Sequence, residues 1–253
     1  YQNEHWEAVN SLRKSAIRCL LVDGNKLWIA SPGEVGSVDL PLTINSRYTS
    51  VKMTGLSESG EVWHLAKSGD AIVATTKEDV WLFHPSTNQT RRVRLPTHDR
   101  IVVQPLNGET LVVQSGVAIW KLTGDKLAPV ENPLTDPTDL TWIWAQSPFI
   151  LTTKALYKQE DNSYRKIIST QELSGQSLVT AATKWGKYLV VATFTRGISL
   201  LNLETNELTF FTRECGLPSL AGFSLLSDHQ GRLWVGTSKG IALFESDKYG
   251  RVF

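Results

Sequence analysis

Basic side chains recur at similar places along the chain. Each of four cations follows, within a few residues, an apolar run that ends in Thr: Lys77, Lys154, Arg196 and Lys239. If these places are structurally equivalent, the four cations surround one surface and, together with Arg100, focus a positive potential there. Such a surface favours an anionic ligand, either a sulfated or uronic sugar or an acidic peptide. These five residues are therefore our candidate ligand-binding residues.

A simpler interpretation of the same cations stays open. Acidic residues occur in the same segments, at Glu34, Glu78, Asp79, Asp99 and Glu214, as do the further cations Arg13, Lys14 and Arg213. Turns also favour charged side chains because these are easily solvated there, with no ligand involved.

Residues for metal or covalent chemistry are sparse. The histidines are widely separated and show no spacing typical of a metal site: His5, His64, His84, His98 and His229. There is no Cys-x-x-Cys pair, and Cys19 and Cys215 permit a disulfide without requiring one. We therefore predict no metal site, no cofactor and no catalytic residue.

The elements that position these residues belong to an internal repeat. An apolar run begins at residues 27, 71, 110, 149, 189 and 233, at intervals of 44, 39, 39, 40 and 44 residues. This is the period of a four-stranded propeller blade. In each copy a first strand precedes the run, a third follows it, and a turn rich in Asn, Asp and Gly leads to a more polar fourth strand. The pattern predicts an all-β fold, a β-propeller of about six four-stranded blades, with no competing helical period after the first fifteen residues.

We expect a single propeller domain over residues 1–253. The predicted blades span residues 16–53, 59–99, 100–134, 139–175, 177–219 and 220–253. Residues 4–9 resemble an outer strand and are expected to close the ring in the last blade, although residues 251–253 are an alternative start of that strand. Because the chain begins with Tyr rather than Met, we expect it to be part of a longer protein.

The composition excludes two classes of partner. The 253 residues carry a net charge of +1, which provides no general attraction to nucleic acid or to membranes. No apolar stretch approaches the roughly 18 residues of a membrane span. We therefore expect neither nucleic-acid binding nor direct membrane insertion by this chain.

The sixth copy carries the most specific motif. Its Asp228, Gly231, Leu233–Thr237 and Gly240 with Ile241 resemble the two-component regulator propeller repeat. This resemblance implies a sensor-type propeller in a bacterial periplasmic or cell-envelope protein, which recognises a carbohydrate or another extracellular ligand. The motif itself is expected to be structural. Asp228 and Gly231 shape a hairpin, and Trp28 and Trp234 occupy equivalent places that suit packing between blades.

Three functional hypotheses follow. The first is a non-catalytic sensor propeller that binds a small ligand or glycan, and the second is a protein-interaction scaffold in a cell-envelope or secretion assembly. The third is a propeller hydrolase or lyase, since residues 227–234 resemble one Asp-box turn of sialidases, with the Asp one place early. A sensor requires a concave, cation-bearing mouth, a scaffold requires an exposed apolar patch, and an enzyme requires a channel residue of strongly perturbed protonation.

Overall fold

The structure is a computed structural model that describes residues 16–43, 45–95 and 100–245. Within these residues the chain forms six antiparallel sheets, the blades of an all-β propeller. Two compact units divide the chain between Asn132 and Pro133, with three sheets in each. The predicted fold class is confirmed.

The first unit contains twelve strands in the described residues. The first sheet consists of β1 (Cys19–Asp23), β2 (Lys26–Ser31), β3 (Glu34–Asp39) and β4 (Thr49–Ser50). The second consists of β5 (His64–Ser68), β6 (Ala71–Thr75), β7 (Asp79–His84) and β8 (Gln89–Arg94). The third consists of β9 (Ile101–Leu106), β10 (Glu109–Gln114), β11 (Ala118–Thr123) and β12 (Lys126–Val130).

The second unit repeats this arrangement. Its first sheet consists of β13 (Trp142–Gln146), β14 (Phe149–Thr152), β15 (Ala155–Glu160) and β16 (Ser163–Ser169). Its second consists of β17 (Val179–Trp185), β18 (Tyr188–Thr193), β19 (Ile198–Asn202) and β20 (Leu208–Phe211). Its third has three strands in the described residues, namely β21 (Gly222–Ser227), β22 (Leu233–Thr237) and β23 (Gly240–Phe244).

Each sheet is a meander in which consecutive strands pair antiparallel. The first strands of neighbouring sheets contact one another within each unit, β1 with β5 and β5 with β9, then β13 with β17 and β17 with β21. Tight turns join the strands, and Asn88 and Asp161 adopt positive φ values of 56° and 53° in two of them. These residue types tolerate that conformation, so the turn signals in the sequence are confirmed.

Burial follows the order of strands within a sheet. Every residue of the second strand β6 is buried, whereas the fourth strand β8 is almost entirely exposed. Trp28 on β2 packs edge-to-face against Phe83 on β7, with ring centroids 5.6 Å apart. Each fully buried large aliphatic side chain at such a junction, such as Ile72, contributes about 1.5–3 kcal/mol. The expectation that Trp28 packs between blades is therefore confirmed.

Two short helical elements add to the sequence-based picture. A one-turn helix, α1 (Thr170–Leu173), follows β16 and was not predicted; Ser169 and Glu172 form a capping box that stabilises it. A 3-10 turn, Arg213–Cys215, follows β20.

The proposed closing strand at residues 4–9 and its alternative at 251–253 lie outside the described residues. The manner of ring closure therefore stays a prediction, as do the blade boundaries.

Candidate binding face

The loops that follow the second strands share one local design. Thr193, at the end of β18, donates its hydroxyl to the carbonyl of Gly197 (2.9 Å) and accepts the backbone N–H of Arg196 (3.0 Å). Thr152 makes corresponding contacts with Ala155 O (3.2 Å) and Lys154 N (3.0 Å) in a loop one residue tighter, and its hydroxyl also lies 2.5 Å from Asp139 Oδ2. The recurrent Thr of the sequence is thus a hydroxyl-based turn that fixes the backbone of the next loop.

This design repeats in the sixth copy and brings the candidate cations to equivalent places. Thr237 donates to Gly240 O (2.7 Å) and accepts Lys239 N (3.2 Å). Because the sheets are antiparallel meanders, these loops emerge at the same end of each sheet as the connections between sheets; we call this end the loop end. Within the second unit, the loop ends of three successive sheets carry Lys154, Arg196 and Lys239. Lys77 and Arg100 lie at loop ends of the first unit.

The four loop cations are exposed but differ in their partners. Lys154 Nζ lies 3.6 Å from Asp136 Oδ2, a partly screened surface pair. Lys77, Arg196 and Lys239 form no ion pair with any described residue. Three of the four are therefore available to an anion.

Arg196 has a defined position on this surface. The side chains of Arg196 and Phe210 both lie close to Gly175. A methyl group added at Gly175 would be 3.2 Å from Arg196 Nε and 3.2 Å from a ring carbon of Phe210. The guanidinium therefore packs over the backbone of the connection that precedes β17, close to the aromatic ring.

Arg100 lies at the head of β9 rather than out in a loop. Its carbonyl accepts the N–H of Ser115 (2.9 Å), and the surrounding protein lowers its pKa by desolvation although its side chain is solvent-accessible. Partial burial and the positive charge of Arg100 also lower the pKa of His64, on the neighbouring first strand, to about 4. The guanidinium of Arg100 and the neutral imidazole of His64 thus interact at the loop end of the first unit.

Of the acidic residues that weaken the cation hypothesis, Asp79 is buried, whereas Glu34 and Glu78 are partly exposed and Glu214 is exposed. Asp79 is 1% exposed and accepts hydrogen bonds from Arg92 Nη2 (2.7 Å) and Arg94 Nε (3.4 Å). These contacts outweigh burial and lower its pKa. Asp99 lies outside the described residues. Asp79 therefore forms a structural ion pair with Arg92 and Arg94, and these cations compensate its charge.

A cluster of exposed apolar side chains at the loop end of the second unit was missed by sequence analysis. Leu178, Phe194 and Phe223, which we call the aromatic patch, are 69%, 49% and 50% exposed. The two Phe rings meet edge-to-face with centroids 6.0 Å apart. The signal available in the sequence was an apolar residue beside the first strand of two successive copies and a Phe after the recurrent Thr.

A depression of about 540 Å³ opens at the loop end of the first unit. It lies between the loop after β2 and the long connection from β4 to β5, and its lining includes Glu34, Lys52, Met53, Leu56 and Glu61. Nearby, Arg18 Nη2 donates to Glu61 Oε1 (2.6 Å) and stacks over Trp63, 5.8 Å from the ring centroid. The depression is mixed in charge, unlike the cation-bearing loops.

The motif in the sixth copy is a hairpin lock. Asp228 Oδ1 accepts the N–H groups of Gln230 and Arg232, both at 2.9 Å, and Gly231 has φ of 78°. Trp234 Nε1 donates to Asp228 Oδ2 (2.9 Å), and Arg232 lies over the Trp234 ring at 5.2 Å. The structural role predicted for Asp228 and Gly231 is confirmed. Trp234 is only partly buried and braces its own hairpin, whereas Trp28 is packed in the core.

Trp185 connects two hairpins. Located at the end of β17 and buried, it donates Nε1 to the carbonyl of Gly231 in the hairpin of the next sheet (2.7 Å). The hairpins of two successive blades are therefore bonded directly.

Other chemistry is limited in the part of the chain that the structure describes. No group of three or more His, Cys, Asp and Glu residues there is arranged to hold a metal ion. Cys19 and Cys215 are free thiols, and burial raises the pKa of Cys19. Among these residues no helix has both the length and the apolar character to cross a membrane.

Comparison with known proteins first defines the class. The family model described as two component regulator propeller matches residues 219–239. The predicted resemblance is thereby confirmed for the sixth copy of the repeat. No curated protein sequence matches the chain.

Solved structures then show which propellers this chain is similar to. The extracellular domain of a hybrid two-component system from B. thetaiotaomicron is 14% identical, with a TM-score of 0.67. The match covers 94% of this chain and 35% of that one, so this chain spans about a third of that extracellular domain. The similarity shows that the two share the β-propeller fold.

Propellers of other functions share the fold. Virginiamycin B lyase from Staphylococcus aureus is 14% identical over 95% of this chain and 84% of its own, with a TM-score of 0.67. BamB from Moraxella catarrhalis is 14% identical over 91% and 83%, with a TM-score of 0.62. At these identities the similarity establishes the architecture, and function must be argued from the site.

Proposed function

We propose that this chain is the ligand-binding propeller of a bacterial cell-envelope sensor and that it binds an anionic glycan or acidic peptide at its loop ends. The observation that supports the proposal is a recurrence: Lys154, Arg196 and Lys239 each follow a Thr turn at a loop end of the second unit, and Lys77 occurs in the corresponding loop of the first unit. Three of these cations have no ionic partner among the described residues. Turns that merely favour solvated side chains would not require the same sign of charge at four equivalent places.

Two further observations support an anionic ligand. The negative charge of Asp79, two residues after Lys77, is compensated by its ion pairs with Arg92 and Arg94. Arg100 adds an exposed cation at the loop end of the first unit, and its guanidinium can form a charge-assisted hydrogen bond with a carboxylate or sulfate. The sensor role and the cell-envelope location rest on the family repeat and on similarity to extracellular sensor domains.

The proposal is tested by replacing the four loop cations together with Ala. The matched control replaces four exposed lysines away from the loop ends: Lys126, Lys158, Lys166 and Lys187. Both variants change the net charge equally. We expect the loop variant to bind sulfated and uronate glycans and acidic peptides at least about tenfold more weakly, with the control near wild type. Equal binding by wild type and loop variant would contradict the proposal.

A second candidate function, hydrolase or lyase chemistry, is favoured by one observation. Burial and the charge of Arg100 lower the pKa of His64 to about 4, so its imidazole is neutral at pH 7 and can donate a hydrogen bond to an oxyanion that develops on a substrate, while Arg100 beside it can hold an anionic group of that substrate. The two candidates differ in turnover. His64→Ala should leave equilibrium binding of a glycan intact if the chain is a sensor, and should abolish product formation from a bound substrate if it is an enzyme.

A further inference from the structure

The aromatic patch is the least expected surface of the second unit. Its three side chains are 49–69% exposed, although large apolar side chains gathered at one place are normally buried or covered by a partner. Phe194 comes from the loop after β18, Phe223 from β21, and Leu178 from the connection before β17. Three separate segments therefore converge to form it.

Hydrogen bonds hold these three segments in place. Phe194 N donates to Leu178 O (2.9 Å), and Thr195 N donates to Ser177 Oγ (3.0 Å). Thr180 Oγ1 donates to Gly222 O (2.7 Å), which ties β17 to β21 next to Phe223. The patch is thus organised before any partner arrives, so that binding loses little conformational entropy.

Uncompensated cations flank the patch. Arg196 follows Phe194 by two positions in the same loop and packs over Gly175, three residues before Leu178. Lys239 lies in the next loop, which is anchored by Ser238 N to Ala221 O (3.0 Å), two residues before Phe223. Neither cation has an ionic partner among the described residues, so the partner that complements this surface is both apolar and acidic.

We propose that the aromatic patch binds an acidic peptide segment, whose apolar side chain packs against Phe194 and Phe223 while its carboxylates pair with Arg196 and Lys239. The inference rests on the proposed function, since it assigns the ligand class at the loop end of the second unit. A charged sugar would pair with the cations and stack on a flat ring face, but the rings of Phe194 and Phe223 stand at 68° to each other and form no flat platform. A peptide covers both.

The test is an array of decapeptides that vary independently in the number of Asp and Glu residues and in the presence of one central Phe, probed with the purified chain. Binding should increase with acidic content and should rise further when Phe is present. Phe194→Ser and Phe223→Ser should each weaken binding of the acidic Phe peptides by about tenfold, as for a central interface residue, and leave acidic peptides without Phe unaffected. Leu226→Ser, at a side chain 60% exposed on β21 outside the patch, is the matched control.

The alternative outcomes separate the two proposals. Binding that depends on charge alone, with no effect of the Phe variants, overturns the peptide inference and leaves the anionic-ligand proposal standing. Loss of all charge dependence overturns both. Self-association that rises with protein concentration and disappears in Phe194→Ser identifies a second copy as the occupant, and likewise overturns the peptide inference.

Discussion

The hairpin motif of the sixth copy is explained by the hydrogen bonds that one residue, Asp228, accepts. Asp228 accepts two backbone N–H groups, one guanidinium N–H and the indole N–H of Trp234. The indole donor, followed by the other donors, holds its pKa well below the ordinary Asp value. The sequence motif of the repeat is therefore a set of donors arranged around one carboxylate.

Replacing Asp228 with Ala should lower the midpoint of thermal unfolding, because these donors lose their shared acceptor. The loss should be pH-dependent. Since the folded-state pKa is depressed, the stabilisation by Asp228 is complete above the unfolded-state pKa of about 3.9 and is lost as the pH falls toward the folded value. Melting curves of both proteins between pH 7 and acid should converge at low pH; a constant difference would contradict the role of the charge. Glu204→Ala, at an exposed turn, is the control.

His84 supplies a pH-dependent contact of opposite sign. Its Nε2 lies 2.7 Å from Asp125 Oδ1 and its Nδ1 lies 3.3 Å from Asp70 Oδ2, and these carboxylates raise its pKa. Arg91, 3.8 Å from Asp125, is the other charged group at this contact. Asp125 belongs to the turn of the adjacent sheet, so the contact links two blades of the first unit.

Because the folded-state pKa of His84 is raised, its stabilisation is present below about pH 6.5 and is lost as the pH rises through the folded value. His84→Gln should therefore reduce the free energy of unfolding by about 0.5–1 kcal/mol at mildly acidic pH, and by less at alkaline pH. Urea unfolding at several pH values measures this. His229→Gln, at an exposed position, is the control, and a larger effect at alkaline pH would refute the assignment.

At the scale of elements, the strands could be predicted and the surface they present could not. The second strands begin where the aligned runs begin, or one residue earlier, because burial on both faces leaves a continuous apolar run. Helix α1 was missed because four residues are too few to show a helical period. The aromatic patch was missed because the exposure of Phe194 and Phe223 depends on contacts between separate copies.

The Thr turn provides a test at this scale. Thr152 and Thr193 are fully buried, whereas Thr237 is partly exposed, and each hydroxyl bonds a carbonyl and an N–H of the following loop; that of Thr152 also contacts Asp139. Replacing either buried Thr with Val should cost about 1–3 kcal/mol, since buried backbone groups lose their partner, and Thr237→Val should cost less. Urea unfolding gives the values. Thr209→Val, at an exposed strand position, is the control, and equal costs at all three turns would argue against the role of burial.

At the scale of the whole molecule, net charge and charge placement say different things. A net charge of +1 predicts no general preference for anions. Four of the six loops that follow the second strands nevertheless carry a cation. The sequence could supply this periodicity. The sequence could not supply the internal compensation of Asp79, which depends on the register that places Asp79 opposite Arg94, or the effect of Arg100 on His64, which arises between neighbouring sheets.

Binding driven by these cations should depend on salt. Raising the ionic strength from about 0.05 to about 0.5 M shortens the screening length below the separation of exposed charges, so affinity for a sulfated glycan should fall several-fold. Isothermal titration at both salt concentrations measures this, with a neutral glycan of the same length as the control. Salt-independent affinity would indicate that the cations do not contribute.

The register shift in β21 bears on how this surface can change. Gly222 pairs with Thr237 and Ser224 with Gly236, so Phe223 is an extra residue that has no partner on β22. Removing Phe223 altogether, rather than substituting it, would restore an unbroken ladder and keep the inward and outward faces of Ser224 to Ser227 unchanged. A single in-frame deletion of the Phe223 codon should therefore remove one of the two rings of the aromatic patch while Ser224 to Ser227 stay paired with β22, which would make this apolar surface separable from the fold in engineering.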